Sequence, residues 1–212
     1  MNSVEMSPIE ATTQSWRYLD PSSFCHDSLH ETIRTFGREA SDYTGRSAEH
    51  VAESTTEREK LPRSAPEELK SEIAKVFRRA QDEHFEDGME STFSRRLECL
   101  IENFGDLAVT IIAQLILREV VSSEVASEAL RWIGLVDHPA TRIYRLWLLR
   151  EALKCSSSRV RDGAILGISF MDDPSAIESL VEAIEREKGP ELRQDMQQVL
   201  RQLEETRRCQ SS

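Results

Sequence analysis

The sequence predicts an all-α chain, a solenoid of about four stacked helix pairs preceded by an N-terminal extension. Three observations predict it. From Ser64 onward, apolar residues fall at helical spacing, as in Val160, Ala164, Ile168 and Met171, so each helix has one face to bury. The pattern also repeats. Val125, Ala129, Ile133, Asp137 and Pro139 precede Val160, Ala164, Ile168, Asp172 and Pro174 at one constant offset. Phe93, Leu97 and Ile101 stand in the same relation to Val125, Ala129 and Ile133, and Leu192, Arg193, Met196 and Leu200 to Val160, Arg161, Ala164 and Ile168. The offsets, about 32–35 residues, lie in the range that marks stacked helical units. Finally, the helical patterns are separated by short turn signals such as Asp172-Asp173-Pro174 and Gly189-Pro190 rather than by long loops.

In chain order, residues 1–63 form the extension, rich in Ser, Thr and Glu and without a repeat match. The stretch to Ser15 is expected to be mobile and Thr44 to Arg63 to be linker, since neither has apolar periodicity. Between them Asp27 is placed to cap a short helix within 27–40, with Leu29, Ile33 and Phe36 on one face. The repeat domain spans 64–205. Ser64-Ala65-Pro66-Glu67 is a capping box, and Leu69, Ile73, Val76, Phe77 and Ala80 form the stripe of the first helix. Glu83 to Glu90 reads as loop, and Phe93, Leu97, Leu100, Ile101 and Phe104 belong to the next helix. Asp106 opens a helix to about Val121 that is apolar nearly all round, hence buried between neighbours. Glu124 to Val136 is its partner. Pro139 begins a helix rich in Arg and aromatics, Cys155 to Ser158 is a turn, and the Ser158–Glu187 stretch follows as helix, turn, helix. In it Gly163 and Gly167, poor helix formers, indicate close approach of another backbone. Glu191 to about Glu205 is a polar closing helix, as a terminal repeat requires, and 206–212 is expected to be a flexible tail.

The Val160-Arg161 and Leu192-Arg193 pairs, Ala164, Gly167, and the turns Asp137–Pro139 and Asp172–Pro174 together resemble the HEAT repeat family, including the HEAT-like repeats of phycobilisome lyases and of many bacterial proteins. The resemblance covers about residues 66–205. The position of Arg161 is Ala126 one repeat earlier, so an arginine ladder of the family kind is incomplete. The resemblance implies a right-handed solenoid whose second helices, beginning near Ser91, Glu124, Ser158 and Glu191, line a concave, protein-binding face. It implies a non-enzymatic interaction module: an adaptor, regulator or inhibitor. Two alternatives come from the same resemblance: a nucleic-acid-binding HEAT-like protein, or a phycobilin-lyase-like protein acting on chromophores attached to cysteine.

Charge weighs against the first alternative. The chain carries 27 Lys+Arg against 38 Asp+Glu, a formal charge of -11, so bulk attraction to a phosphate backbone is unfavourable. No apolar run is expected to cross a bilayer; the nearest, Leu107 to Val121, is interrupted by Gln114 and Arg118. The N-terminus lacks a basic stretch followed by an apolar core, so no secretory signal is expected. Cys25, Cys99, Cys155 and Cys209 are far apart and form no CxxC pair, which points to reduced thiols and a cytoplasmic location.

Little in the sequence suggests chemistry. No Gly-rich phosphate loop, HExxH or GxSxG is present, and no Ser, His and acid share a recognisable frame. His26 and His30, with Cys25 and Glu31, have helical spacing for a metal but no second cluster to complete four ligands; a solvated helix explains them better. No catalytic residue, metal or cofactor is therefore expected. The pointed feature is Arg131, Arg142, Arg145, Arg150, Arg159 and Arg161, lying with Trp132, Tyr144 and Trp147 within two repeats of an acidic chain. Such a cluster is either an interface hot spot or an aromatic core with arginines paired to nearby acids. Trp132 goes with the core, since it shares a face with Val125, Ala129 and Val136. Arg131, Arg161 and Arg193 are predicted to form a cationic strip on the concave side, with Leu166 and Phe170 adding apolar contact, suited to an acidic or amphipathic partner segment. Neutralisation by Asp162, Asp172 and Asp195 is the competing account. Trp16, Tyr18 and Phe24 form a second candidate, which either docks on the solenoid end or binds a partner.

Overall fold

The computed structural model describes residues 65–86 and 89–211. The predicted extension over 1–63, its helix at 27–40, the Trp16, Tyr18 and Phe24 candidate and the Cys25/His26/His30/Glu31 set lie outside the described residues. The chain divides into a unit ending at Glu68 and a unit from Leu69 to Ser212, and the fold below is that of the second. Among the described residues there are seven α-helices and no strand.

α1 (Ala65–Ala80) buries Leu69, Ile73, Val76, Phe77 and Ala80, the stripe its spacing predicts. Glu67 and Glu68 in its first turn and Arg78 and Arg79 in its last complement the helix dipole. α2 (Thr92–Leu117) starts at a capping box in which Ser94 N–H donates to Ser91 Oγ at 3.0 Å and Ser91 N–H to Ser94 Oγ at 2.9 Å. At Gly105 the backbone turns to φ +52°, ψ −131°, a conformation glycine alone adopts without strain. That kink splits α2 into the second helix of one repeat and the first of the next. The expected helices at 93–104 and from 106 are its two halves, meeting at the kink. The second half stops at Leu117, short of Val121, because Glu119 turns left-handed and Glu119 N–H and Val120 N–H close back on Ile116 O and Leu115 O.

By length and composition α2 is apolar enough to cross a membrane, contrary to the expectation drawn from its two halves taken apart. Within the fold Phe93, Leu97, Ile101, Ile112 and Ile116 of this helix are among the most completely covered side chains, while Phe104 is 43% exposed.

α3 (Ser123–Leu135) and α5 (Ser158–Met171) are second helices of successive repeats, capped by Ser122 and Ser157 through the amides of Val125 and Val160. α4 (Arg142–Ala152) and α6 (Ile177–Arg186) are first helices, and each follows a single 3₁₀ turn started by proline, Pro139–Thr141 and Pro174–Ala176. α7 (Pro190–Gln210) closes the array. The predicted tail is corrected here: helix continues to Gln210, because Thr206 Oγ1 donates to Asp172 Oδ2 at 2.8 Å and so ties the extra turns to the end of α5.

The most extensive helix contact is α3 on α5, with α4 on α5, α6 on α7 and α5 on α7 completing the stack. It is built on glycine. A Cβ placed on Gly134 would fall inside the backbone of Gly167, and one on Gly163 inside the backbone of Ser127. One on Gly167 would lie 2.5 Å from both Leu130 O and Leu149 Cδ2. The two helices therefore touch backbone to backbone, as Gly163 and Gly167 suggest from the sequence. Ala129, Ile133, Ala164, Ile168, Leu148 and Leu149, all at 0% exposure, fill the core behind this seam.

Candidate protein-interaction surface

The described candidate residues lie on α3, α5 and α7. On α3, Glu128, Arg131, Trp132 and Leu135 follow one another at i, i+3, i+4 and i+7, and so share a face. Arg131 donates Nε–H to Glu128 Oε2 at 3.0 Å and Nη2–H to Glu128 Oε1 at 2.8 Å. Trp132 Nε1–H donates to the same carboxylate at 2.6 Å, and the Arg131 guanidinium lies 5.3 Å from the Trp132 ring centre. The Arg131 and Glu128 side chains are only 11% and 8% exposed. Trp132 is thus half-buried, with its polar edge spoken for.

Arg161 is committed as well. Its Nε–H and Nη2–H go to Glu187 Oε2 and Oε1 at 2.7 and 3.1 Å, and Nη1–H to the carbonyls of Cys155 and Ser156 at 2.9 and 2.8 Å. Arg193 donates to the Glu187 carbonyl oxygen through Nε at 2.9 Å and through Nη2. The cationic strip predicted from Arg131, Arg161 and Arg193 is therefore not presented. Two of these guanidiniums are paired with carboxylates and all three are turned into local hydrogen bonds. The acids responsible are Glu128 and Glu187, not Asp162, Asp172 and Asp195.

The other arginines of the cluster act as clasps between repeats. Arg159 reaches Glu124 with bonds of 3.1 and 2.9 Å, and Asp162 at 3.2 Å. Arg142 reaches Asp173 Oδ2 and Met171 O, and Arg150 reaches Ser179 Oγ at 2.7 Å. Arg145, 3% exposed, donates to Thr141 Oγ1, Ile133 O and His138 O. Burial lowers its pKa from the ordinary arginine value, helped by Arg142 and opposed by Asp137. Apart from Arg131, which pairs within its own helix, the cluster owes its density to fold register, since each side chain crosses to a neighbouring helix or turn.

The apolar candidates are accessible. Leu166 and Phe170 on α5 are 38% and 46% exposed. Leu135, which sequence reasoning passes over, is 42% exposed at the end of α3. A signal for it existed: Leu135 precedes Phe170 by 35 residues, the spacing that also separates Glu124 from Arg159. Both therefore occupy one position in successive repeats, on helices packed side by side.

Among the described residues no three His, Cys, Asp or Glu side chains converge as metal ligands. Cys155 is half-buried, and burial with Glu119 pushes its thiol above the usual 9.0 despite Arg161, so it stays protonated at neutral pH.

Stacked helix pairs in one register define a helical-repeat array. Residues 113–201 match the family model for HEAT repeats. HEAT repeats commonly mediate protein–protein interaction and are typically non-catalytic scaffold. The match is to HEAT repeats in general and does not single out phycobilisome lyases. No curated protein and no solved structure matches the chain.

Proposed function

We propose that this protein is a non-enzymatic interaction module, an adaptor, regulator or inhibitor acting in the cytoplasm. It engages a partner protein through the face lined by its second helices. The observation that carries this reading is the exposure of Leu135, Leu166 and Phe170 on the outward sides of two helices fused by their glycine seam. Large apolar groups at equivalent positions of adjacent repeats make a rigid ridge, and a rigid apolar ridge loses little entropy on binding. With Arg131, Arg161 and Arg193 committed to internal partners, the partner chemistry that fits is the apolar face of an amphipathic helix. Formal charge of -11 works against a nucleic-acid ligand.

The test is a capture from the native organism followed by affinity measurement. Leu135→Asp combined with Phe170→Asp should weaken binding at least tenfold, about 1.4 kcal/mol, while the melting curve stays near that of the parent because both positions face water. Equal loss of stability and affinity would assign these residues to the fold. Undiminished binding would move the surface elsewhere, with Trp16, Tyr18 and Phe24 next in line.

A further inference from the structure

A cleft of about 270 Å³ opens on another part of the array, where the turn before α5 meets the turn before α7. Lys154, Cys155, Arg161, Arg186, Glu187 and Lys188 surround it over an apolar base of Leu153 and Ala183. Four cations and one carboxylate thus line a small concavity in a protein of charge -11. The acids around it are already engaged. Glu187 takes two bonds from Arg161 and two from the amides of Lys188 and Gly189. Glu151 pairs with Lys154 at 2.6 Å, and Glu119 accepts from Ser156 Oγ at 2.7 Å.

The donors are only partly engaged. A guanidinium has five N–H groups and an ammonium three. Arg186 uses one, Nε–H to Glu182 O at 3.0 Å. Among the described residues neither Arg186 nor Lys188 has a carboxylate at ion-pair distance, and both are exposed at the cleft. Arg161 is held rigid by Glu187 and the carbonyls of Cys155 and Ser156, which fixes one wall. A small cleft lined by partly engaged N–H donors, beside carboxylates that already accept hydrogen bonds, suits a compact oxyanion with several acceptor oxygens. It does not suit a long polyanion, which the remaining acidic surface would repel.

We propose that this cleft binds a phosphate monoester. The phosphoryl oxygens sit between the free N–H groups of Arg186 and Lys188, against the wall made by the Arg161–Glu187 pair, and the ester carbon lies toward solvent. The function is independent of the apolar ridge on α3 and α5, and its failure leaves that surface untouched.

The experiment is amide chemical-shift mapping on the whole chain at constant ionic strength. The probes are inorganic phosphate, a serine-containing peptide, and the same peptide phosphorylated on that serine. Phosphate and phosphopeptide should shift Cys155, Ser156, Lys188 and Gly189 saturably, and the unmodified peptide should not. Arg186→Glu with Lys188→Glu alters only exposed side chains, so its melting temperature should hold while phosphate affinity falls at least tenfold. A phosphopeptide bound tenfold more tightly than inorganic phosphate assigns the ligand to a modified protein partner, and equal affinities assign it to a small phosphorylated molecule. Shifts that rise linearly without saturation, that appear equally with the unmodified peptide, or that survive the double charge reversal would overturn the proposal.

Discussion

Gly134→Ala should lower the free energy of unfolding by about 2 kcal/mol or more, although alanine is the better helix former by about 1 kcal/mol. The added methyl meets the carbonyl oxygen and Cα of Gly167, which are backbone atoms of a packed helix and cannot rotate away. Relief requires α3 and α5 to separate, and separation loosens the most extensive contact of the fold. Gly134→Val should leave the C-terminal repeats unfolded at ambient temperature, since domains of this size hold only about 5–15 kcal/mol in reserve. Gly189→Ala is the control. Its Cβ would lie 3.4 Å from the Glu187 carboxylate at an ordinary helix-capping φ of −73°, and the expected change is about 1 kcal/mol or less. Urea titration followed by circular dichroism measures all three. A Gly134→Ala midpoint equal to that of the parent would mean that the backbone seam is not a tight contact in solution.

The architecture was legible because it rests on local, periodic signals. The stripes of Leu69 to Ala80 and Val160 to Met171 and the prolines at 139, 174 and 190 each act within one or two helical turns. Residues 163 and 167 announced their role, since two glycines on one helical face have no better explanation than close approach. The arginines were not legible in the same way. Whether a guanidinium faces a partner protein or an internal acid depends on groups 26–35 residues away, as for Arg161 with Glu187 and Arg159 with Glu124. No local rule pairs them, and exposure inferred from the opposite side of an apolar stripe overlooks that neighbouring repeats also cover that side. Arg131 shows a shorter-range version. Glu128 lies three residues before it and Trp132 one residue after, so the spacing for the trio was present. The apolar surface reads differently again. Leu166 and Phe170 lie opposite their own stripe, whereas Leu135 stands at a helix end and is recognised only by carrying the 35-residue register back from Phe170. α7 outruns its expected end for a tertiary reason: the Thr206–Asp172 bond stabilises a polar segment with little periodicity of its own.

Removing Glu187 should have the other large effect. This residue is 4% exposed and joins three elements through one side chain and one carbonyl. Its carboxylate holds Arg161 at the start of α5 and the amides of Lys188 and Gly189 at the entrance to α7, while its carbonyl accepts from Arg193. Glu187→Ala leaves the Arg161 guanidinium, whose side chain is 18% exposed, without its counter-charge and two amides without an acceptor. Breaking a buried pair by deleting one partner costs about 3–5 kcal/mol; Arg161 keeps the Cys155 and Ser156 carbonyls and some water, so about 2–3 kcal/mol is expected. Arg161→Leu combined with Glu187→Ala should lose less than the two single changes together, because the pair fails as a unit. Acid should reveal the same clasp. The Arg161 hydrogen bonds, against an opposing desolvation and with help from the Gly189 and Lys188 amides, hold the Glu187 carboxyl below its ordinary 4.5. A carboxylate whose pKa is depressed by folding gives stability that is complete above its unfolded value and is lost as pH falls through its folded one. The parent protein should therefore lose stability as pH drops below about 4.5, and Glu187→Ala should lose less over the same interval. Parallel pH profiles for the two proteins would show that the carboxylate is not held by Arg161 in solution, and an additive double-mutant cycle would show that the two residues stabilise the repeats independently.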